Sequence, residues 1–184
     1  MNPRPYASVD ALTAATVTIA WVIVANKPFY PLTIWWTVGN GVGASFLSVL
    51  SMPLFLAIPF IARRSALAAR IALPLVGTLD TLLETKLFGT GSGTELFFAA
   101  CIMLVALSFR GTERLWQIGL TGLVFAAFLL TRTVIGEAWH LWSASDLATL
   151  LNVNAFAVAC LTAFIALRYA GLRGRDYSSE TSPS

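Results

Sequence analysis

The sequence predicts an all-α integral membrane protein, a bundle of six transmembrane helices with both termini in the cytoplasm. The chain has 184 residues, of which 57% are hydrophobic and only 11% are charged, whereas about 25% of residues in a soluble domain are charged. Six apolar stretches are visible, and crossing the hydrocarbon core takes about 20 residues each. The connections between these stretches alternate between Arg-rich and Arg-poor.

Nine of the 12 basic residues fall on one side of this alternation, and only Lys27, Lys86 and Arg132 fall on the other. The nine are Arg4, Arg63, Arg64, Arg70, Arg110, Arg114, Arg168, Arg173 and Arg175. Because cytoplasmic connections of membrane proteins collect Lys and Arg, we expect a multi-pass protein of the bacterial cytoplasmic (inner) membrane. No basic cluster lies on a soluble surface, so the bilayer and not nucleic acid is the expected partner.

The chain divides into a cytoplasmic tail (1–6), a transmembrane domain (7–170) and a polar, Ser-rich tail (171–184) that we expect to be disordered. The six spans are predicted at 7–26, 34–61, 66–88, 94–109, 115–135 and 147–169. The first span is expected to be retained, because no small-residue cleavage site follows it. It ends at Lys27–Pro31, a predicted outer turn, because two prolines so close together cannot continue a helix.

The second span carries a small-residue stripe, formed by Gly39, Gly41 and Gly43. Such a stripe lets another helix approach closely, either within the chain or across a homodimer. The same span has Trp35 and Trp36 at its outer end, where aromatic residues mark a membrane boundary.

The later spans differ in polarity. The third is the least apolar and contains Asp80 and Glu84, and a glycine-rich outer turn leads from it to the aromatic fourth span. A short basic hairpin on the inner side precedes the fifth span. An outer loop containing Glu137 and His140 precedes the sixth.

Acidic residues of the outer half form the candidate site. Asp80 and Glu84 are four residues apart and share one helical face, and Asp80 lies roughly 12 Å from the outer turn at 1.5 Å per residue. A carboxyl group at that depth costs a few kcal/mol unless it is paired or hydrated. Together with Glu95, Glu137 and His140, these residues predict an outer vestibule for a cationic ligand. Pairing with Lys86 or Arg132, hydration among lipid headgroups, or a protonated Asp80 are the alternatives.

Neither catalysis nor a metal or other cofactor is expected, because no nucleophile, P-loop or zinc-binding motif occurs. His140 is the only histidine, and Cys101 and Cys160 lie inside apolar stretches, where free thiols behave as small hydrophobes. The inner arginines are predicted to contact anionic lipid headgroups. They are Arg63, Arg64, Arg110, Arg114, Arg168, Arg173 and Arg175.

The segment Leu87-Phe-Gly-Thr-Gly-Ser-Gly-Thr-Glu-Leu-Phe-Phe-Ala-Ala100 resembles one junction in a known family. It is similar to the link between the third and fourth spans of the six-helix membrane domains that precede class III adenylate cyclase catalytic domains in bacteria. The same domain type precedes some histidine kinases and diguanylate cyclases. The likeness extends over about residues 10 to 170 and includes a proline-broken second span and an aromatic loop before the sixth.

The resemblance implies a dimeric, receptor-like module whose sixth helix continues into a signalling helix and a catalytic domain. This chain departs from that pattern at its end. Gly171 and Gly174 lower helix propensity, and no cyclase domain follows before Ser184. The chain is therefore expected to be either a free-standing relative of these domains or a membrane domain whose signal is received by a separate partner chain.

The sequence thus favours a non-enzymatic membrane sensor, receptor-like or anchor module, with a homodimer and a signalling partner as expected associations. The alternative is a small transporter or a membrane subunit of a transport complex. The transporter alternative requires Asp80 to act as a coupling or substrate-binding residue.

Overall fold

The computed structural model describes residues 10–135 and 137–180, and it describes side-chain contacts for 10–135 and 137–172. All regular secondary structure in these residues is helical. The α-helices are α1 (Ala11–Asn26), α2 (Phe29–Thr37), α3 (Val42–Phe46), α4 (Met52–Arg64), α5 (Ala66–Phe88), α6 (Phe97–Ser108), α7 (Arg114–Thr133) and α8 (Ala144–Glu180). Short 3-10 turns occupy Leu47–Ser51, Thr90–Ser92, Thr94–Leu96 and Gly111–Glu113.

Four of the helical stretches are long and apolar enough to cross a membrane: Val42–Arg64, Ala66–Phe88, Gly111–Thr133 and Ala144–Leu172. A fifth is obtained if α1 and α2, which meet at 41°, count as one bent span. Thr94–Ser108 is apolar but shorter. The predicted all-helical fold is therefore confirmed for the described residues, with four or five helical stretches able to cross a membrane. The count of six spans and the cytoplasmic placement of both termini stay predictions.

Helix α5 lies at the centre of the bundle, where it packs against α1, α4, α6 and α7. Helix α8 lies at the periphery on α6 and α1, and it is the least buried of the long apolar helices. The main core joins α1, α4, α5, α6 and α8 through residues such as Ile19, Phe55, Leu73, Leu104 and Ile165, all at most 2% exposed. We call the two ends of the bundle the tryptophan end (Trp35, Trp36, Trp139, Trp142) and the arginine end (Arg63, Arg64, Arg110, Arg114, Arg168).

The structure corrects the predicted second span, 34–61. Trp35 and Trp36 belong to α2, and the chain then breaks at Gly39 and Gly41, whose φ angles are +77° and +64°. Only glycine adopts this left-handed region without steric cost. The three glycines therefore do not form a stripe on one helix. A Cβ added at Gly39 or Gly43 has nothing within 4 Å, whereas one at Gly41 lies 2.2 Å from the Trp142 ring.

The structure also corrects the predicted disordered tail, because α8 continues from Ala144 to Glu180 without a break. Gly171 lies inside this helix. A glycine costs only about 1 kcal/mol relative to alanine, and adding residues to a helix that already exists avoids the cost of nucleation. The predicted N-terminal tail with Arg4 and the last four residues lie outside the described residues.

Candidate functional site

A buried cluster of three charged side chains joins α1 to α5 near the tryptophan end. Lys27 Nζ lies 2.6 Å from Asp80 Oδ1 and 2.7 Å from Glu84 Oε1. The three side chains are 6%, 12% and 10% exposed, respectively. We call this the Lys27 cluster.

Local structure explains why these groups meet. Lys27 follows the last residue of α1, where the chain turns before α2 begins at Phe29. Asp80 and Glu84 lie one turn apart on the central helix α5, so both carboxylates face the same neighbour. Lys27 also donates to the Ser48 carbonyl at 3.1 Å, and the Ser51 hydroxyl donates to Asp80 Oδ1 at 2.6 Å. Both serines lie in or at the end of the 3-10 turn before α4.

The Lys27 cluster does not balance its charge. One ammonium group faces two carboxylates, which leaves one negative charge when all three groups are ionised. Ser51 lowers the cost by hydrogen bonding, but a hydroxyl carries no charge. An uncompensated carboxylate in a buried site costs several kcal/mol, so the cluster favours taking up one positive charge.

A chain of hydrogen bonds links the neighbourhood of this cluster to α8. Tyr30, one turn after Lys27, donates its hydroxyl to Asn154 Oδ1 at 3.0 Å. Asn154, which is fully buried in α8, donates in turn to the Ser92 carbonyl at 2.8 Å. The Tyr30 ring packs edge-on against Phe88, which stacks on Trp142.

A second buried ion cluster lies at the arginine end. Arg70 is 2% exposed and donates to both carboxylate oxygens of Asp10, at 3.1 and 3.0 Å, and to Glu113 Oε1. Asp10 also caps α1 by accepting from the Thr13 backbone N–H. Burial raises the pKa of Asp10, but the Thr13 hydrogen bonds and the charges of Arg70 and Arg110 outweigh it and hold the pKa below its usual range.

Helix α8 is attached at this end by neutral groups. The Tyr169 hydroxyl lies 2.7 Å from Ser108 Oγ and 3.3 Å from Thr16 Oγ1. Charged pairs thus join α1 to α5 at both ends of the bundle, whereas the side-chain hydrogen bonds that hold the inward face of α8 are neutral. Neutral bonds are roughly half as strong as charge-assisted ones.

The five predicted vestibule residues do not form one site. Asp80 and Glu84 lie together in the Lys27 cluster. Glu95 instead pairs with Arg132 at 2.6 Å and accepts from the Thr131 hydroxyl at 2.5 Å. Glu137 is exposed, and His140 packs edge-on against Trp142 with ring centroids 4.5 Å apart.

Asp80 and Glu84 are paired with a basic residue, which was the alternative to a vestibule, but their partner is neither Lys86 nor Arg132. Lys86 donates to the carbonyls of Ile135 and Glu137, at 2.8 and 2.9 Å, and so holds the loop before α8. Arg132 is occupied by Glu95. Lys27, expected in an outer turn, is the residue that pairs with Asp80 and Glu84.

The inner arginines lie at one end of the bundle, as their spacing predicts. Arg63 stacks on the Phe60 ring at 5.3 Å, and Arg64 ends α4. Arg110 lies 3.7 Å from Asp10 and Arg114 begins α7. Arg168 is half-buried, and the side chains of Arg173 and Arg175 lie outside the described residues.

Sequence reasoning missed two central residues, Lys27 and Arg70. Both were counted as loop charges in the topology pattern. For Arg70 a signal existed, since it falls four residues into the predicted third span, where a charge is expensive and calls for a partner. For Lys27 there was none, because only the folded chain brings it beside residues more than 50 positions away.

No group of three His, Cys, Asp or Glu side chains that could hold a metal ion occurs among the described residues. Cys101 and Cys160 are free thiols, the first buried and the second exposed. No protein-family model, curated protein or solved structure matches this chain.

Proposed function

We propose that the chain is a six-span membrane sensor module of the bacterial cytoplasmic membrane, in which protonation of the Lys27 cluster changes the position of α8. The tryptophan end faces outward and both termini lie in the cytoplasm. The bent pair α1–α2 is the first span and Thr94–Ser108 is the fourth, at roughly 22 Å the shortest. The basic residues of the arginine end support this orientation.

The proton is the stimulus that the charge count favours. Two carboxylates face one ammonium, and one bound proton makes the cluster neutral. Both carboxylates are held by Lys27 at hydrogen-bond distance, so a larger cation has to displace the lysine before it can enter. A proton needs no such space.

The coupling between Lys27 and Tyr30 is the observation that carries the proposal. Lys27 binds the two carboxylates of α5, and Tyr30, three residues later, binds Asn154 of α8. A shift of Lys27 on protonation therefore moves the group that holds the outer half of α8. A ligand shifts a conformational equilibrium only as far as it binds one conformation more tightly than the other. Here a proton changes the number of charged carboxylates that attract Lys27, from two to one, and so favours a different position of this lysine.

Helix α8 is suited to carry the change inward. It has 37 residues and so is roughly 55 Å long, compared with about 30 Å for the hydrocarbon core. Its inner part therefore extends beyond the membrane, where a separate signalling protein can bind it in a way that depends on its position. This partner chain is part of the proposal.

A spin-label distance measurement tests the proposal. Labels are attached to Thr112→Cys, in the hairpin before α7, and Gly171→Cys, on α8, in a Cys101→Ala/Cys160→Ala background reconstituted in lipid nanodiscs. The distance distribution is expected to differ between mildly acidic and mildly alkaline pH. Tyr30→Phe keeps the ring packed on Phe88 but removes the hydroxyl, and we expect it to reduce the pH-dependent change strongly.

The same measurement has clear opposing outcomes. An identical distribution at both pH values contradicts the proposal, as does a change that persists in full in Asp80→Asn, where the cluster is already balanced. The transporter alternative predicts saturable proton or cation flux in proteoliposomes that Asp80→Asn abolishes. Such flux would replace sensing by transport.

A further inference from the structure

Asp80 and Glu84 are almost equally buried but differ in the number of groups that donate to them. Their side chains are 12% and 10% exposed, so burial penalises the two negative charges to a similar extent. Asp80 Oδ1 accepts from Lys27 Nζ and from the Ser51 hydroxyl, both at 2.6 Å. Lys27 is the only group that donates to Glu84 among the described residues, at 2.7 Å. Because hydrogen bonds to a carboxylate favour its charged form, Asp80 is the better stabilised of the two anions.

The 3-10 turn Leu47–Ser51 places Ser51 beside Asp80. Residues three apart eclipse each other in a 3-10 helix, so Ser48 and Ser51 lie on the same side of the turn, and both are buried. Ser48 supplies its carbonyl oxygen to Lys27, and Ser51 supplies its hydroxyl to Asp80. The Ser51 hydroxyl also lies 3.1 Å from the Ser48 carbonyl. It has only one hydrogen to donate, however, and the shorter contact with a charged acceptor is the stronger one.

Ionisable groups on the helices around α5 do not supply Glu84 with a second donor. Tyr30 of α2 directs its hydroxyl to α8, and Cys101 of α6 is a buried free thiol. Both side chains are ordinarily uncharged at neutral pH. Arg132 of α7 pairs with Glu95, and the basic residues of α4 lie at the arginine end. Glu84 thus remains the less stabilised carboxylate of the cluster.

We infer that Glu84 is the carboxyl group of the Lys27 cluster that takes up the proton. Ser51 acts as a positioning residue, because its hydrogen bond keeps Asp80 ionised. This inference rests on the proposed function and names the acceptor that the charge count leaves open. One proton on Glu84 leaves one ammonium group facing one carboxylate, and Lys27 keeps its contacts with Asp80 and the Ser48 carbonyl. We therefore expect the lysine to move toward the 3-10 turn and away from Glu84.

Isotope-edited infrared spectroscopy identifies the protonated residue without a substitution in the cluster. Wild-type protein is prepared with ¹³C in the side-chain carboxyl groups of either all glutamates or all aspartates, and acid-minus-alkaline difference spectra are recorded in nanodiscs. The carbonyl band of the cluster is the one that Asp80→Asn/Glu84→Gln lacks. We expect this band to shift to lower frequency with labelled glutamate and to stay in place with labelled aspartate. Labelling is needed because either single substitution already balances the charge of the cluster.

The possible outcomes separate this inference from the proposed function. A band that shifts with labelled aspartate instead would overturn the assignment to Glu84 and would leave proton uptake by the cluster intact. Absence of the band from every wild-type sample would contradict both the assignment and the proposed function.

Serine substitutions in the same labelled samples test the positioning role. Ser51→Ala removes the second donor to Asp80, which should raise the proton affinity of this carboxylate by about tenfold. A large part of the band is then expected to respond to labelled aspartate, whereas Ser51→Thr, which keeps the hydroxyl, should behave as wild type. Ser48→Ala is the matched control, because the Ser48 hydroxyl donates to the Ser45 carbonyl and not to a carboxylate. A response to labelled glutamate alone in Ser51→Ala, or an equal aspartate response in Ser48→Ala, would overturn the role of Ser51.

Discussion

At the residue scale, Lys27 determines whether the central helix can carry two carboxylates. Its ammonium group is the only positive charge in hydrogen-bond contact with Asp80 and Glu84 in the described chain. Without it, both acids would be buried unpaired. The intact ion pairs therefore add little net stability, because their attraction mainly offsets the cost of desolvating the charges. Removing one partner is costly, because the remaining charges stay buried without that compensation.

Lys27→Met is expected to destabilise the protein by about 3–5 kcal/mol, because it leaves buried charges without a partner. The measurement is reversible unfolding in mixed micelles. Lys86→Met, which removes a lysine from the exposed loop contacts, serves as the control and should cost much less. The triple variant Lys27→Met/Asp80→Asn/Glu84→Gln should recover a large part of the loss, and a triple variant as unstable as Lys27→Met alone would contradict this explanation.

Asp10 gives the arginine end a pH dependence of a definite sign. The pKa of Asp10 is lowered in the folded protein, so its contribution to stability is complete above the usual carboxyl range. This contribution is lost as pH falls through the lowered pKa. Wild type should therefore unfold at a higher temperature than Asp10→Asn at neutral pH, and the difference should shrink upon acidification. A difference independent of pH would contradict the role of the Asp10 charge, and Glu137→Gln, at an exposed position, is the control.

At the element scale, the break between α2 and α3 shows where sequence patterns lose their power. Hydropathy correctly predicted apolar helices here, but it joined α2 to the helices that follow it. The reason is that Gly39 and Gly41 are compatible both with a continuous apolar helix and with the end of one. The deciding contact is the Trp142 ring over Gly41. That ring comes from a loop a hundred residues later.

The glycine substitutions separate these roles. Gly41→Ala should destabilise the protein, because its Cβ lies 2.2 Å from the Trp142 ring and its φ is +64°. Gly43→Ala should be neutral or slightly stabilising, since its Cβ has open space in a helical turn and alanine favours a helix more than glycine does. The measurement is the thermal unfolding temperature of both variants in the same detergent. An equal decrease in both variants would contradict the different roles of the two glycines and would favour the packing stripe predicted from the sequence.

Helix α8 was also only partly predictable from the sequence. Its apolar part was predictable from hydropathy alone, whereas its continuation beyond Gly171 was not, because two glycines lower helix propensity without forbidding a helix. The inward position of Asn154 and the outward position of Asn152 were likewise beyond sequence reasoning. The two amides are two residues apart, and only packing decides which of them faces the bundle.

At the scale of the whole molecule, the all-helical membrane fold was predictable and the candidate site was only partly so. Composition and span length are local properties, and they led to the correct fold class. The proximity of Asp80 and Glu84 followed from helical spacing. Glu95 lies apart from these two residues, and Lys27 lies beside them, because of how whole helices pack around α5. A local sequence pattern does not contain this information.

The orientation of the molecule is open to a simple test. Leu141→Cys lies at the tryptophan end and is 82% exposed, and Thr112→Cys is exposed at the arginine end. In intact cells of the Cys101→Ala/Cys160→Ala background, a membrane-impermeant maleimide should label the first and not the second. Labelling of Thr112→Cys alone would mean that the bundle is inserted the other way round.

Protonation of the Lys27 cluster is the central claim, and infrared difference spectroscopy of the protein in nanodiscs tests it most directly. The acid-minus-alkaline spectrum should contain the carbonyl band of a buried protonated carboxyl group in the wild type and in Glu137→Gln. The band should be absent in Asp80→Asn/Glu84→Gln. A band that survives unchanged in the double variant would show that the proton binds elsewhere and would contradict the account.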